Sequence, residues 1–543
     1  MRDLDRLRLE RRVDHLLAPW TVGGTPGCTI GVVRKGALVL HRSAGLANLD
    51  LEVPISEATT FRVASVTKQF TCAAVLLLAA EGRLAVTDEI HAHLPELPDF
   101  GAPITIDQLM HNTSGIRDFL ELMRLGGMYL RDHCRLADIL HVLGLQRGLN
   151  FPPGSQFLYS NTNFLLLGRI VETVTGESLA AFTARRIFAP LGMTRSRFVR
   201  STEETVPGLA TGYFPAPKGG GFVKATQGFP LGGEGGLVSS VEDLALWDRN
   251  FTTGQVGGEA LLAALTEQAP LTDGRMNAYA RGLAIKAWRG LETVSHGGLW
   301  PGYRTEFLRI PAHDLTVICI ANLGSIIPYR LAREVAEAVL GAERVLHPVP
   351  PLPPAAEREQ LAGRYVDPAA PATVDIELKP EGALLVSRNG VSYPLIADES
   401  GRLVADASTF EFAAVQAVEG MPEGIIVGEP GVLFHRAPPA PGLPAAMLPA
   451  DLPGRYECDE VGAIWSIAQD AEGGMVARAA GPFVNAGPWE VLAVDEDIVR
   501  VPTPGLLFPS WFDVRLDRAA DGSVLSLTVG GGRTSGHVFT RLG

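Results

Sequence analysis

Between residues 65 and 81 apolar side chains recur at helical spacing, culminate in the unbroken run from Cys72 to Ala80 and stop at Gly82. The pattern predicts a buried helix over 65–81, and the run is far shorter than the ~20 residues that cross a bilayer. β-formers at 29–33 and 37–40 flank Arg34-Lys35-Gly36 and predict a hairpin, and 293–295, 305–309 and 315–322 read as further strands of the same antiparallel sheet. Strands, then helices, then strands predict an α+β (mixed α/β) domain whose antiparallel sheet is flanked by helices.

Two proline-rich stretches, 347–354 and 437–453, read as semi-rigid linkers. They predict three pieces, 1–345, 355–436 and 450–543. The later two repeat one another: Leu361-Ala362-Gly363-Arg364-Tyr365 returns as Leu452-Pro453-Gly454-Arg455-Tyr456, and Phe434-His435-Arg436 as Phe539-Thr540-Arg541. Within them, segments such as 373–378, 383–387 and 524–529 place short β-rich runs between Gly, Asp and Asn turns, which predicts two small antiparallel β-barrels. The second copy carries an insertion at 480–490, Ala-Gly-Pro-Phe-Val-Asn-Ala-Gly-Pro-Trp-Glu. Bounded by Gly and Pro, it reads as a loop with two aromatics, either a plain surface excursion or one docked in another domain's cleft.

The 47 basic and 60 acidic residues leave a formal charge of −13, which argues against nucleic acid or an anionic membrane surface as partner. Only six of the cations are lysines: Lys35, Lys68, Lys218, Lys224, Lys286 and Lys379. A lysine here deserves inspection for chemistry that arginine cannot do, chiefly losing its proton. The five cysteines form no CxxC pair and the N-terminal segment has no apolar leader, so the expected setting is reducing and cytoplasmic. His91-Ala92-His93 reads as a surface loop rather than a metal pair, and Gly232-Gly233-Glu234-Gly235-Gly236 as a flexible loop near a functional cleft rather than a phosphate cradle. Neither metal nor cofactor is expected.

Ser65-Val66-Thr67-Lys68 is the one S-x-x-K in the chain. On a helix, positions i and i+3 share a face, so the Ser65 hydroxyl and the Lys68 amine come within hydrogen-bond range, and a buried lysine can help remove the proton of a serine nucleophile. Taken alone the motif fits equally a helix start capped by Ser65 with a solvated Lys68. Downstream lie Tyr159-Ser160-Asn161 in a polar loop and Ser295-His296-Gly297-Gly298-Leu299 between two strand-like segments. Either Tyr159 or His296 by itself would read as an ordinary packed residue.

In this order the three motifs resemble the signature of the penicillin-recognising serine hydrolases: S-x-x-K, then Y-x-N, then a K-T-G box written by some members as H-x-G. The segment Leu109–Phe119, with His111-Asn112-Thr113-Ser114-Gly115, resembles the same superfamily's H-x-T-S-G turn. With Ser65–Ala73, the H-G-G form at His296–Gly298 and two G-R-Y modules, the whole chain resembles the bacterial D-aminopeptidases. The resemblance implies a beta-lactamase-like catalytic domain, 1–345, followed by two antiparallel β-barrels, 355–436 and 450–543. It also implies a cytoplasmic, homodimeric exopeptidase that releases an N-terminal D-residue such as D-alanine from small peptides, amides or esters.

The same resemblance implies roles for residues. Ser65 is the nucleophile, Tyr159 beside Lys68 takes its proton, and the backbone N–H groups of Ser65 and Leu299 hold the oxyanion. Asn161 orients Lys68 or binds the substrate carbonyl, and the His296-Gly297-Gly298 box replaces the lysine that captures a C-terminal carboxylate. The 480–490 loop of the last barrel reaches the active cleft and selects for a free α-amine. There this chain departs from the family, reading Asn485-Ala486-Gly487-Pro488 with Glu490 the nearest carboxylate. Three readings stay open: D-aminopeptidase; a related esterase, amidase or carboxypeptidase; and a catalytically silent sensor, which would not need Ser65, Lys68 and Tyr159 together.

Overall fold

The computed structural model describes residues 3–341, 345–367, 370–388, 390–398, 400–406, 415–418, 421–427, 432–436, 448–504 and 510–543. Residues 437–447 of the second predicted linker lie outside that set. The chain forms two compact units, one of Met1–Pro95, Ile104–Ser114 and Asn163–Pro348, the other of Glu96–Pro103, Gly115–Thr162 and Val349–Gly543. No helix among the described residues is long and apolar enough to cross a membrane.

The first unit is built on a six-stranded antiparallel sheet in the order Ala284–Trp288, Leu291–Trp300, Tyr303–Ile310, Leu315–Ala321, Cys28–Arg34, Ala37–Ala44. The predicted hairpin is its edge, and the N-terminal strand closes against the last one, with Cys28 opposite Ala321. One face buries Ile30, Val32, Val317 and Cys319 under the terminal helices Asp3–Leu17 and Pro328–Leu340, which contribute Leu9, Val13, Leu17, Leu331, Val335 and Leu340. The longest apolar run becomes the helix Thr67–Ala80, buried from Thr67 through Leu78. Helices thus pack on an antiparallel sheet, the mixed α/β arrangement that the order of strands and helices predicts.

In the second unit the strands from Gly363–Val366 to Val432–Arg436 close an antiparallel barrel, and those from Gly454–Cys458 to His537–Arg541 form a nine-stranded, barrel-like antiparallel sheet. The sequence repeat has a physical basis in both. The tyrosine phenol donates to a carbonyl four residues earlier, Tyr365 to Leu361 at 2.9 Å and Tyr456 to Leu452 at 2.7 Å. The closing arginine lies on that ring, with Arg436 5.2 Å from the Tyr365 centroid and Arg541 5.6 Å from that of Tyr456. A side chain on the glycine would obstruct it, since a Cβ on Gly363 would lie 2.8 Å from Nη1 of Arg436. Each module is thus fastened by one Gly, one Tyr and one Arg.

The 480–490 stretch is not a plain loop. Met475–Ala480 and Asn485–Glu490 pair as an antiparallel hairpin, with Val476 opposite Glu490 and Ala480 opposite Asn485. Small residues make this possible: a Cβ on Gly481 would fall 1.9 Å from the Gly126 carbonyl oxygen, and one on Gly127 would fall 2.9 Å from the Ala486 Cβ. Trp489 is buried and its indole N–H donates to the Tyr129 hydroxyl at 3.0 Å, while Trp465 donates to the Leu125 carbonyl at 3.0 Å. Gly and Pro content signalled a loop, and packing against 125–129 overrode that local preference. His91 lies within the short helical turn Ile90–Ala92 and His93 follows it, paired with Glu89 and Asp88 respectively.

Candidate active site

Ser65 sits in a 3-10 turn, Ala64–Val66, that feeds the helix Thr67–Ala80. The expected helix therefore starts two residues late, but a 3-10 turn preserves the i, i+3 relation. Lys68 is fully buried, and its Nζ donates to Ser65 Oγ at 3.1 Å and to the Glu234 carbonyl at 2.6 Å. Its ammonium group lies 5.2 Å from the Phe164 ring centroid. Ala64 holds φ at +48°, a conformation sparsely populated by residues other than glycine. The surroundings hold that turn in place: Thr67 Oγ1 donates to the Ala64 carbonyl and accepts from Leu237 N, and Val63 N donates to Leu237 O.

The glycine run at 232–236 is the clasp of this arrangement. Thr71 Oγ1 donates to Gly233 O at 2.7 Å, so two successive carbonyls, of Gly233 and Glu234, fix the first turns of the helix. A Cβ on Gly233 would meet the Phe164 carbonyl oxygen at 2.4 Å, which explains why glycine is needed for so close an approach. Sequence reading placed this run near a cleft but missed Glu234, because its contribution to Lys68 is a backbone carbonyl that no side-chain motif reveals.

Strand Leu291–Trp300 passes hard against the same turn. A Cβ on Gly298 would stand 2.2 Å from the Val63 carbonyl oxygen, so the strand brings Gly297, Gly298 and Leu299 alongside the segment bearing Ser65. We expect Gly298→Ala to push strand and turn apart, lowering stability by about 1–3 kcal/mol and activity by more than the stability loss explains. Thermal unfolding and kcat/KM measured on the same preparation check this.

His296, on that strand, is fully buried. Its Nδ1 lies 2.6 Å from the Gly297 carbonyl and its Nε2 lies 3.0 Å from the Tyr279 hydroxyl. A carbonyl only accepts, so Nδ1 carries the hydrogen and Tyr279 donates to Nε2. Burial, reinforced by the charge of Lys68, holds the imidazole well below its usual range and therefore neutral at pH 7. His296 is thus a neutral, doubly held ring. Tyr279, which sequence reading did not single out, is tied in turn through its carbonyl to His111 Nδ1 at 3.1 Å.

Tyr159 and Asn161 belong to the second unit, where Tyr159 is buried and Asn161 begins the helix Asn161–Thr175. Asp118 organises them. Its Oδ2 accepts from Asn161 N at 2.7 Å and from Asn161 Nδ2 at 2.9 Å, while Oδ1 caps the helix Phe119–Leu125 by accepting from Leu120 N at 2.9 Å. Burial pushes the Asp118 carboxyl up, and the Arg533 charge acts against that push. Thr162 completes the clasp, accepting from Phe119 N and donating to Arg117 O. Asn485 and Glu490 are exposed on their strand.

The family model described as Beta-lactamase matches residues 9–342. The chain belongs to the beta-lactamase family. This beta-lactamase family member is 28% identical to a D-aminopeptidase of Gluconobacter oxydans over 538 residues, covering 98% of each chain, and 28% identical to one of Cereibacter sphaeroides over 509 residues, covering 92% of each. Among solved structures it is similar to the D-amino acid amidase of Ochrobactrum anthropi in complex with L-phenylalanine amide, at 25% identity and TM-score 0.52, covering 62% of this chain and 98% of that one. The octameric penicillin-binding protein homologue of Pyrococcus abyssi, 19% identical with TM-score 0.55, covers 99% of this chain and 100% of its own and shares the fold.

Proposed function

We propose that this chain is a D-aminopeptidase, a serine hydrolase that removes an N-terminal D-amino acid such as D-alanine from small peptides, amides or esters. The observation that carries the reading is the buried Lys68 amine 3.1 Å from Ser65 Oγ, in a chain whose curated D-aminopeptidase relatives match it nearly end to end. Ser65 Oγ attacks the scissile carbonyl, and its proton passes to Tyr159, the assigned base, and then to the departing amine. The bond from carbonyl carbon to nitrogen breaks, leaving an ester on Ser65. Water adds to that ester, the same base takes its proton, and the D-amino acid leaves as Ser65 is restored. The N–H groups of Ser65 and Leu299 receive the oxyanion, each donor being worth about 3 kcal/mol. Asn161 is assigned to orient Lys68 or to bind the substrate carbonyl.

His296 takes the place of a carboxylate-binding cation. A neutral imidazole engaged at both nitrogens attracts a carboxylate weakly, which supports action from the amino end. In this reading 1–345 carries the chemistry, 355–436 and 450–543 follow as β modules, and the 480–490 segment selects for a free amine through Asn485 or Glu490. The five cysteines are all free and buried, in keeping with a cytoplasmic setting, and the working form is a homodimer. Incubation with D-Ala-Gly-Gly tests the reading: free D-alanine and intact Gly-Gly are expected, whereas glycine released first would favour a carboxypeptidase.

A further inference from the structure

We propose that Arg533, carried by the turn between the strands Val524–Gly530 and His537–Arg541 of the last β module, is a positioning residue that favours the ionised form of Tyr159. Its guanidinium lies 4.8 Å from the Tyr159 ring centroid, within the range at which a cation interacts with an aromatic face. The main chain fixes that turn: the Arg533 carbonyl accepts from Asp118 N at 3.3 Å and from Asn150 Nδ2 at 3.1 Å, and Asn150 Oδ1 accepts from Ser535 N at 3.0 Å. These bonds do not depend on the side chain at 533, so the turn stays in place when that side chain is changed.

Arg533 also acts on the buried Asp118 carboxylate that binds Asn161, as does Glu121 one turn further along the helix Phe119–Leu125, itself paired with Arg124. A carboxylate opposes ionisation of a neighbouring phenol, and a guanidinium against the ring promotes it. Arg533 therefore offsets the carboxylate that the Asn161 clasp requires. A β module remote in sequence from the S-x-x-K motif thereby acts on the proton carrier. The functional part of this inference rests on the assignment of Tyr159 as the base.

The test compares Arg533→Met, which keeps the stem without the charge, with Arg533→Lys, which keeps the charge. Tyr159 ionisation is read as the phenolate absorbance difference between each protein and its Tyr159→Phe counterpart, titrated with pH. In Arg533→Met the midpoint is expected to rise by about one pH unit, with the acid limb of kcat moving alike, kcat at pH 7 falling about tenfold and KM little changed; Arg533→Lys restores most of each. An unmoved phenolate midpoint in Arg533→Met overturns the proposal, as does a shift that Arg533→Lys shares in full. A shifted midpoint with an unmoved kcat profile upholds the electrostatic pairing and overturns instead the assignment of Tyr159 as base, as full activity in Tyr159→Phe also would.

Discussion

Ser65→Ala is expected to lower kcat on a D-alanyl amide by about 10⁴–10⁶-fold while leaving the protein folded. The two halves of that expectation have separate causes. Ser65 Oγ forms the acyl bond in the proposed mechanism, and it sits 3.1 Å from the Lys68 amine. Its removal leaves no large cavity, for Ser65 is only partly buried. Lys68 also keeps its 2.6 Å bond to the Glu234 carbonyl, and the turn keeps its bonds through Thr67 and Val63. A change in stability below about 1 kcal/mol follows. Initial rates and thermal unfolding on one preparation check both halves, and activity within tenfold of the parent would contradict the assignment of the nucleophile.

Lys68→Arg is expected to cost at least about 10³-fold in kcat even though it preserves the charge. Lys68 is fully buried between Ser65 Oγ, a carbonyl and the Phe164 ring, and the longer, planar guanidinium fits that space poorly. Arginine also cannot give up its proton within the working pH range. Lys68→Met, which fills the volume and removes the amine, is expected to be equally inactive and to lose about 1–3 kcal/mol through the buried Glu234 carbonyl left unmatched. Activity of Lys68→Arg within tenfold of the parent would show that charge alone suffices. The site would then not depend on a lysine.

The scarcity of lysine in an arginine-rich chain makes this residue legible in the sequence. The S-x-x-K spacing survives even though Ser65 lies in a 3-10 turn, because a third-residue neighbour stays on the same side in either helix. The sheet was equally readable: alternation at 29–40 and 293–322 follows from one buried face per strand, and the paired L-x-G-R-Y and F-x-R motifs mark the fastening of each β module. Contributions made by backbone, or by long-range packing, were not readable. Glu234 acts through its carbonyl, and Asp118 is a helix cap whose second partner lies on another helix. Arg533 meets Tyr159 through a turn that no local pattern relates to it. Tyr279 gave no signal, since a tyrosine that donates to a buried histidine has no motif of its own. Within the 480–490 segment, which reads as a loop, Asn485–Glu490 is a strand, because Gly126, Gly127 and Gly481 permit a close approach visible only in three dimensions.

The most direct measurement is the initial rate of p-nitroaniline release from D-alanine p-nitroanilide, its L-enantiomer and its N-acetylated D form, each with the parent protein and with Ser65→Ala. Rapid release is expected from the free D-compound alone, at least about 10²-fold above the other two, and none above background with Ser65→Ala. Equal cleavage of free and acetylated substrates, preference for the L-enantiomer, or undiminished release by Ser65→Ala would contradict the proposed function.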